Sequence, residues 1–574
     1  MIEIFSQFIK KNYLQLAIAI LFGVIAGFKL IGPGYFNMHD DLQVMRQVSI
    51  EKCFFDLQIP CRWVPDMGYG YGFPLYNFYP QLPYVVGLVV RLITPLGYLD
   101  TVKLVFILSF VFSSLFMYLL SRQFFGKIGG LVSAAFYVFA PYHSVDVYVR
   151  GAMNESWALV FFPLILWSSY KIIKLKERRY FNILILAFAW VGLLTSHNLM
   201  VLIFTPIFAV WCGVFILKNK SFDSILYLLI SGLMAFGLAA FFTLPVVFEQ
   251  KLVHADTLIQ GYYEFSTHFL SLKQLIVNRY WGYGPSIWEP LDGFSLQIGI
   301  GHILIFIVLM LFVFHRLVKT RKIDSQVLAI LIMGSSAVFA AFMTHSKSTP
   351  IWQSFSPLSY VQFPWRFLTL TILGLSFSVG GIVNYFSKNI IFYIGIFLIA
   401  VSMIFYFPYF EPETGKMGPI TDSEKLSGVA WEMQKTAGIL DYLPKTAKEN
   451  PRDGKKQLAE KVSGNVEINN QIEGTNWAKF DVNVIKENSE IRINIFQFPN
   501  WKVFVDGVEV QVRIPDSEKW GRMYLDVKPG EHSVYVKFYD TTIRTISNII
   551  SLVTLILVLM FYFKYLRVNA SMVK

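Results

Sequence analysis

Two adjacent aspartates, Asp40 and Asp41, follow His39 just beyond the first long apolar run of the chain, and Arg46 comes soon after. Carboxylates at the edge of an apolar solvent are costly, so their presence points to work. One aspartate can act as general base toward an acceptor hydroxyl, while His39 or the other aspartate positions a metal ion or a phosphate. The structural alternative is a helix cap, with Asp40 or Asp41 starting a helix through Leu42–Arg46 and satisfying its free amides.

Asp146, Arg150, Asn154 and Glu155 form a second polar group. Arg150 is a candidate phosphate ligand and Glu155 a metal or hydroxyl partner. The plainer reading is an Asp146–Arg150 ion pair on one helix, worth a few tenths of a kcal/mol. Arg62, among the prolines and aromatics of Pro60–Asp66, and Arg366, beside a helix start in Gln362–Arg366, are further phosphate or donor ligands; both also suit interfacial anchoring. His197, at a tight turn between two apolar runs, is a candidate for polar or metal support and equally a local hydrogen-bonding residue. No Walker loop, GxGxxG, GxSxG or HExxH motif is present, so no nucleotide cofactor is expected; a divalent ion, Mg or Mn, is the one cofactor entertained.

What must hold these groups is a membrane scaffold. Hydrophobic residues make up 55% of the 574 and charged ones only 15%, a balance that requires the bilayer as solvent. Spans are expected near 13–31, 102–120, 128–145, 157–175, 181–196, 199–217, 224–246, 298–314, 326–343, 367–386, 390–407 and 546–563. The first follows Lys10 and Lys11 like a signal peptide but lacks a small-x-small cleavage site, so a retained helix is expected. With both termini cytoplasmic, the inner connections carry the Lys171–Arg179 cluster (Lys174, Lys176 and Arg178 included), Arg316–Lys322 and Lys564–Arg567. Glu249, Asp256 and Glu289 fall outside. The net charge of +12 is therefore topological, and no nucleic-acid partner is expected.

Residues 84–96, with Pro83 and Pro95 at the margins and Arg91 within, read as an interfacial or re-entrant helix. The expected organisation is a membrane domain over 1–408 with a long outer loop at 34–100, and a soluble extracytoplasmic domain over 409–545. A final span and cytoplasmic tail occupy 546–574. The soluble part has a helix or linker over 421–460, then alternating segments from about 465 that read as a β-sandwich. Cys53 and Cys61 share the first outer loop and could pair; Cys212 reads as a buried small residue.

A first span ending in an acidic pair, a long outer loop and many further spans resemble the GT-C class of membrane glycosyltransferases. His39–Asp41, Pro60–Asp66, Gly70–Pro74 and Asn77–Pro80 also resemble bacterial membrane proteins labelled 6-pyruvoyl-tetrahydropterin synthase-related, although nothing here points to soluble pterin chemistry. Phe498–Gly507 and Pro529–His532 are similar to the outer domain of bacterial membrane proteins implicated in glycosylating envelope polymers. The GT-C resemblance implies an inverting transfer from a polyprenyl-phosphate sugar to an envelope glycan or protein, at the outer face of the cytoplasmic membrane. It makes Asp40 or Asp41 the base and gives the lipid phosphate to basic residues. His-Asp-Asp departs from the usual acid pairs of that class. The competing readings are a lipid-linked glycan transporter or flippase, and a non-catalytic binder of envelope polymers.

Overall fold

The structure is a computed structural model that describes residues 2–175, 179–287, 292–413, 420–438 and 441–572. Lys176, Arg178 and Glu289, and the side chains of Lys10, Lys11, Lys564 and Arg567, lie outside the described residues.

Among the described residues, 9 helices are long and apolar enough to cross a membrane, or 10 if one bent pair counts as a span. The chain is a multi-pass helical membrane protein with a β-rich domain near its C-terminus. The difference from twelve has local causes. The described apolar part of the first helix, Asn12–Ala26, is short. The run at 102–120 and the first part of that at 128–145 fall within one element, Tyr98–Val138, which breaks at Gly126 with φ 70° and ψ −171°. That conformation is open to glycine because it has no Cβ. The chain doubles back there: a Cβ on Gly130 would lie 3.0 Å from both Arg122 Cβ and Tyr118 Cδ2. The run at 224–246 is the bent pair, Ser224–Leu238 and Ala240–Leu252, angled by 73°.

The awkward segment at 84–96 is a helix over Leu82–Ile93, too short to span. Arg91 stacks on the Tyr98 ring at 3.6 Å and pairs with Glu51, so its charge is held at the helix end. The span Pro364–Tyr385 is the most enclosed of the nine, with 94% of its apolar window buried, and Arg366 lies in its first turn.

Past the membrane helices come Asp422–Lys425, opened by a Thr421/Glu424 capping box, and Gly428–Thr436. Eight strands follow: β1 (Ala459–Ser463), β2 (Val466–Glu473), β3 (Trp477–Val484), β4 (Ser489–Phe496), β5 (Trp501–Val505), β6 (Val508–Val510), β7 (Arg522–Val527) and β8 (Gly530–Phe538). They form antiparallel sheets of order β1-β4-β7 and β2-β3-β8-β5-β6. Period-two burial drives this: Ala478, Phe480, Val482 and Val484 of β3 and Ile491, Ile493 and Ile495 of β4 enter the core. Asp506 and Gly507, at φ 52° and 83°, make the two-residue turn that pairs β5 with β6.

The β-domain is latched to the first long connection. Asp56 accepts hydrogen bonds from Thr475 N (2.5 Å), Thr475 Oγ1 (2.7 Å) and Trp477 Nε1 (2.8 Å). Trp63, 1% exposed, packs against Trp501 at 5.3 Å and Phe538 at 5.5 Å. Cys53 and Cys61 are joined as a disulfide beside this contact. Trp63→Ala is expected to remove about 3–5 kcal/mol of stability. Limited proteolysis should then cut the β-domain before the helices; an unchanged digestion pattern would show that the latch lies elsewhere.

Candidate functional site

The segment carrying the acid pair is held by its backbone. His39 N donates to Val149 O and Asp40 N to Arg150 O, each at 3.0 Å, so the first connection lies against the turn that follows the helical hairpin. Gly151, at φ 61°, completes that turn; a Cβ there would sit 2.2 Å from Met38 Sδ. Gln43 fastens both sides, donating from Nε2 to Asp40 Oδ2 (3.0 Å) and to Gly151 O (2.8 Å).

The following helix, Gln43–Phe55, has Leu42 at its N-cap position with no side-chain cap bond. The acids are thus not spent on capping, and each meets a cation. Arg46 Nη1 lies 2.6 Å from Asp40 Oδ2, and Lys425 Nζ lies 2.5 Å from Asp41 Oδ2. Lys425 arrives from the Asp422–Lys425 helix, whose Asp422 side chain accepts from the amides of Tyr98 (2.6 Å) and Leu99 (3.0 Å). Burial raises the Asp41 carboxyl, and Lys425 opposes the rise. Burial also lowers His39, favouring the neutral ring. Its Nε2 lies 3.0 Å from the carbonyl of Tyr283, which can only accept, so Nε2 carries the hydrogen and Nδ1 is left as an acceptor.

A second group of charges lies beside the first. Arg150 Nη1 meets Asp146 Oδ1 at 2.5 Å and Glu155 Oε2 at 2.8 Å; Arg366 Nε lies 3.4 Å from the same Glu155 oxygen. Tyr142 donates to Glu155 Oε1 at 2.8 Å, and the Trp365 ring covers the Arg150 guanidinium at 4.5 Å. The expected Asp146–Arg150 pair is present as one edge of a four-charge cluster. Arg366 Nη1 donates to Val361 O (2.8 Å) and Gln362 Oε1 (2.9 Å). No hydrogen bond runs from Nη2 of Arg150 or of Arg366 to a described residue, leaving each planar fork with donors to spare.

Both groups line a single cavity of about 920 Å³. His39, Asp40, Asp41, Arg46, Arg150, Glu155, His197 and Arg366 all face it. Arg62 does not. It is 3% exposed and ties the first connection to the last helix: Nε is 3.3 Å from Asp540, Nη1 donates to Asn77 Oδ1 (3.1 Å) and Nη2 to Asn548 Oδ1 (2.8 Å). Leu199, Leu202, Val246 and Leu258 give the cavity an apolar side. Lys425, Met433, Gln434 and Asp441 roof it from the segment preceding the β-strands. Sequence reading passed over Lys425 and Asp441, since both sit in an ordinary polar stretch. Among the described residues no three His, Cys, Asp or Glu side chains converge as a metal-binding group. No step is assigned to a divalent ion.

No family model matches the chain. An uncharacterized protein of Lactococcus lactis subsp. cremoris (strain MG1363) is 25% identical over 333 residues, spanning 55% of this chain and about half (52%) of that protein's length. Among solved structures, ArnT from Cupriavidus metallidurans bound to undecaprenyl phosphate aligns at TM-score 0.39 and 12% identity, over 69% of this chain and 64% of that one. The Archaeoglobus fulgidus oligosaccharyltransferase tethered with an acceptor peptide aligns at TM-score 0.40 and 14% identity, over 75% and 56%. Its complex with Zn and sulfate aligns at TM-score 0.38 and 13% identity, over 74% and 53%. Likenesses at these scores do not establish shared chemistry.

Proposed function

We propose that the protein is a membrane glycosyltransferase of GT-C type, moving a sugar from a polyprenyl-phosphate donor to an envelope glycan or protein at the extracytoplasmic face of the cytoplasmic membrane. The observation that carries this reading is the convergence, in one 920 Å³ cavity, of two aspartates from the first connection with two arginines from distant helix ends. That volume suits a sugar phosphate with the first isoprene units.

The donor lies with its isoprenoid along Leu199, Leu202, Val246 and Leu258, and its phosphate toward the free donors of Arg150 and Arg366. Asp40 and Asp41 accept hydrogen bonds from the acceptor hydroxyl and aim its oxygen at the anomeric carbon. The arginines stabilise the charge that develops on the departing phosphate, which is where such a site gains most of its rate. An acceptor oxygen that displaces the phosphate in one direct step inverts the anomeric carbon.

Purified protein in lipid, given radiolabelled polyprenyl-phosphate sugars and envelope acceptors, is expected to transfer label. Asp40→Asn and Asp41→Asn should each slow transfer by about 10- to 100-fold, the worth of one charge-assisted hydrogen bond at about 1.5–3 kcal/mol. No transfer across a broad donor panel, or transfer indifferent to both changes, would overturn the proposal.

A further inference from the structure

We infer that Asp441, delivered to the cavity by the segment between the membrane helices and the β-strands, is the carboxylate that takes the acceptor's proton. This assignment rests on the glycosyl-transfer reading and identifies the base within it. Each of the two aspartates of the first connection already holds a cation on one oxygen: Arg46 at 2.6 Å on Asp40, with Gln43 at 3.0 Å, and Lys425 at 2.5 Å on Asp41. Asp441 lines the same cavity, and its carboxylate has no hydrogen bond or ion pair to a described residue. Its backbone is fixed by Asp441 N donating to Gly438 O at 3.1 Å, in a turn where Gly438 has φ 65°. A part-buried carboxylate facing the open cavity has its lone pairs available to a ligand.

The charged and titratable groups around it come from four directions. Arg46 faces it from the Gln43–Phe55 helix, Asp40 from the first connection, Tyr263 from the 258–263 segment, and Tyr442 from its own strand of chain. Burial pushes the Asp441 carboxyl up to about 6, with Arg46 opposing and Asp40 adding to the rise. At neutral pH the group is mostly ionised yet basic enough to accept a proton, as a general base requires. In the step itself, a lone pair of the acceptor oxygen forms the bond to the anomeric carbon. The bond from that carbon to the phosphate oxygen breaks and its electron pair leaves with polyprenyl phosphate. The hydroxyl proton passes to Asp441, which later returns it to solvent.

The test uses the full-length protein in lipid, comparing wild type, Asp441→Asn and Asp441→Glu, each checked for folding by thermal unfolding. Infrared difference spectra are recorded across a pH titration, alongside transfer rates and binding of polyprenyl phosphate. Wild type is expected to show a carboxyl titrating near pH 6 that vanishes in Asp441→Asn. Its transfer rate should fall about tenfold per pH unit below that point. Asp441→Asn should lose about 100-fold or more in rate together with the acid limb, while binding polyprenyl phosphate as before; Asp441→Glu should regain part of both. A wild-type rate and acid limb in Asp441→Asn would overturn the inference, as would an infrared titration that this change leaves intact. If wild type transfers nothing from any donor, the glycosyl-transfer reading fails by itself. The infrared comparison still decides Asp441: loss of the titrating carboxyl in Asp441→Asn keeps it as the proton acceptor of the cavity, and its persistence overturns that role.

Discussion

Glu155→Gln is expected to cost about 3–5 kcal/mol of stability and to abolish transfer, because it strands a positive charge inside the bundle. Asp146 and Glu155 are 0% and 1% exposed, and they balance two arginines that are 9% and 11% exposed. Removing one carboxylate leaves Asp146 alone against both guanidinium groups. Thermal unfolding in detergent would register the loss. The variant also tests the phosphate site directly. An anion binding between Arg150 and Arg366 takes over the missing charge, so polyprenyl phosphate should raise the unfolding midpoint of Glu155→Gln more than that of wild type. A ligand present at about 100 times its dissociation constant adds about 2.7 kcal/mol. Equal shifts in the two proteins would place the lipid phosphate away from these arginines.

Glu249→Ala should cost a similar 3–5 kcal/mol and loosen the last helix from the bundle. Glu249 closes the bent helix Ala240–Glu249 and accepts from Asn77 Nδ2 (2.9 Å), Thr541 Oγ1 (2.5 Å) and Arg544 Nε (2.8 Å). Arg544 is fully buried, and among the described residues Glu249 is the carboxylate paired with it within 4 Å. Asn77 passes the connection on to Arg62, and Arg62 to Asp540 and Asn548, so one network fastens the first connection, the bent helix and the last helix. Hydrogen exchange should rise around residues 541–548. Replacing both partners, Glu249→Met with Arg544→Met, should restore most of the stability, since an apolar pair of similar volume removes the stranded charge. A double variant as unstable as the single one would show that the carboxylate does more than neutralise Arg544.

The same network explains why Arg62 and Arg366 could not be told apart beforehand. Both are arginines among aromatic residues at the ends of apolar runs. One became a strut and the other a cavity wall, a choice made by Asp540 and Glu155. The acid pair was easier to single out, because two carboxylates beside an apolar run are conspicuous. The capping alternative was settled by the helix starting after Leu42. Among the strands, β3 to β8 were legible from alternation. β2 was not: most of it is exposed, and Asn470, at φ 53°, interrupts its register with β3 between Asn469 and Ile472.

What the sequence determined by itself is the solvent of each segment. Transfer of side chains into lipid, or into a sheet's inner face, is nearly additive and local, so composition and period report it directly. What only the tertiary structure decided is which charges meet. Lys425 lies 384 residues after Asp41, yet the two are 2.5 Å apart, and Asp441 shares a cavity with Asp40 and Arg46. Coulombic pairing depends on distance in space and leaves no local period in the chain. The acid pair could therefore be read from the sequence, whereas the cations that hold it and the unpaired carboxylate beside it required the fold.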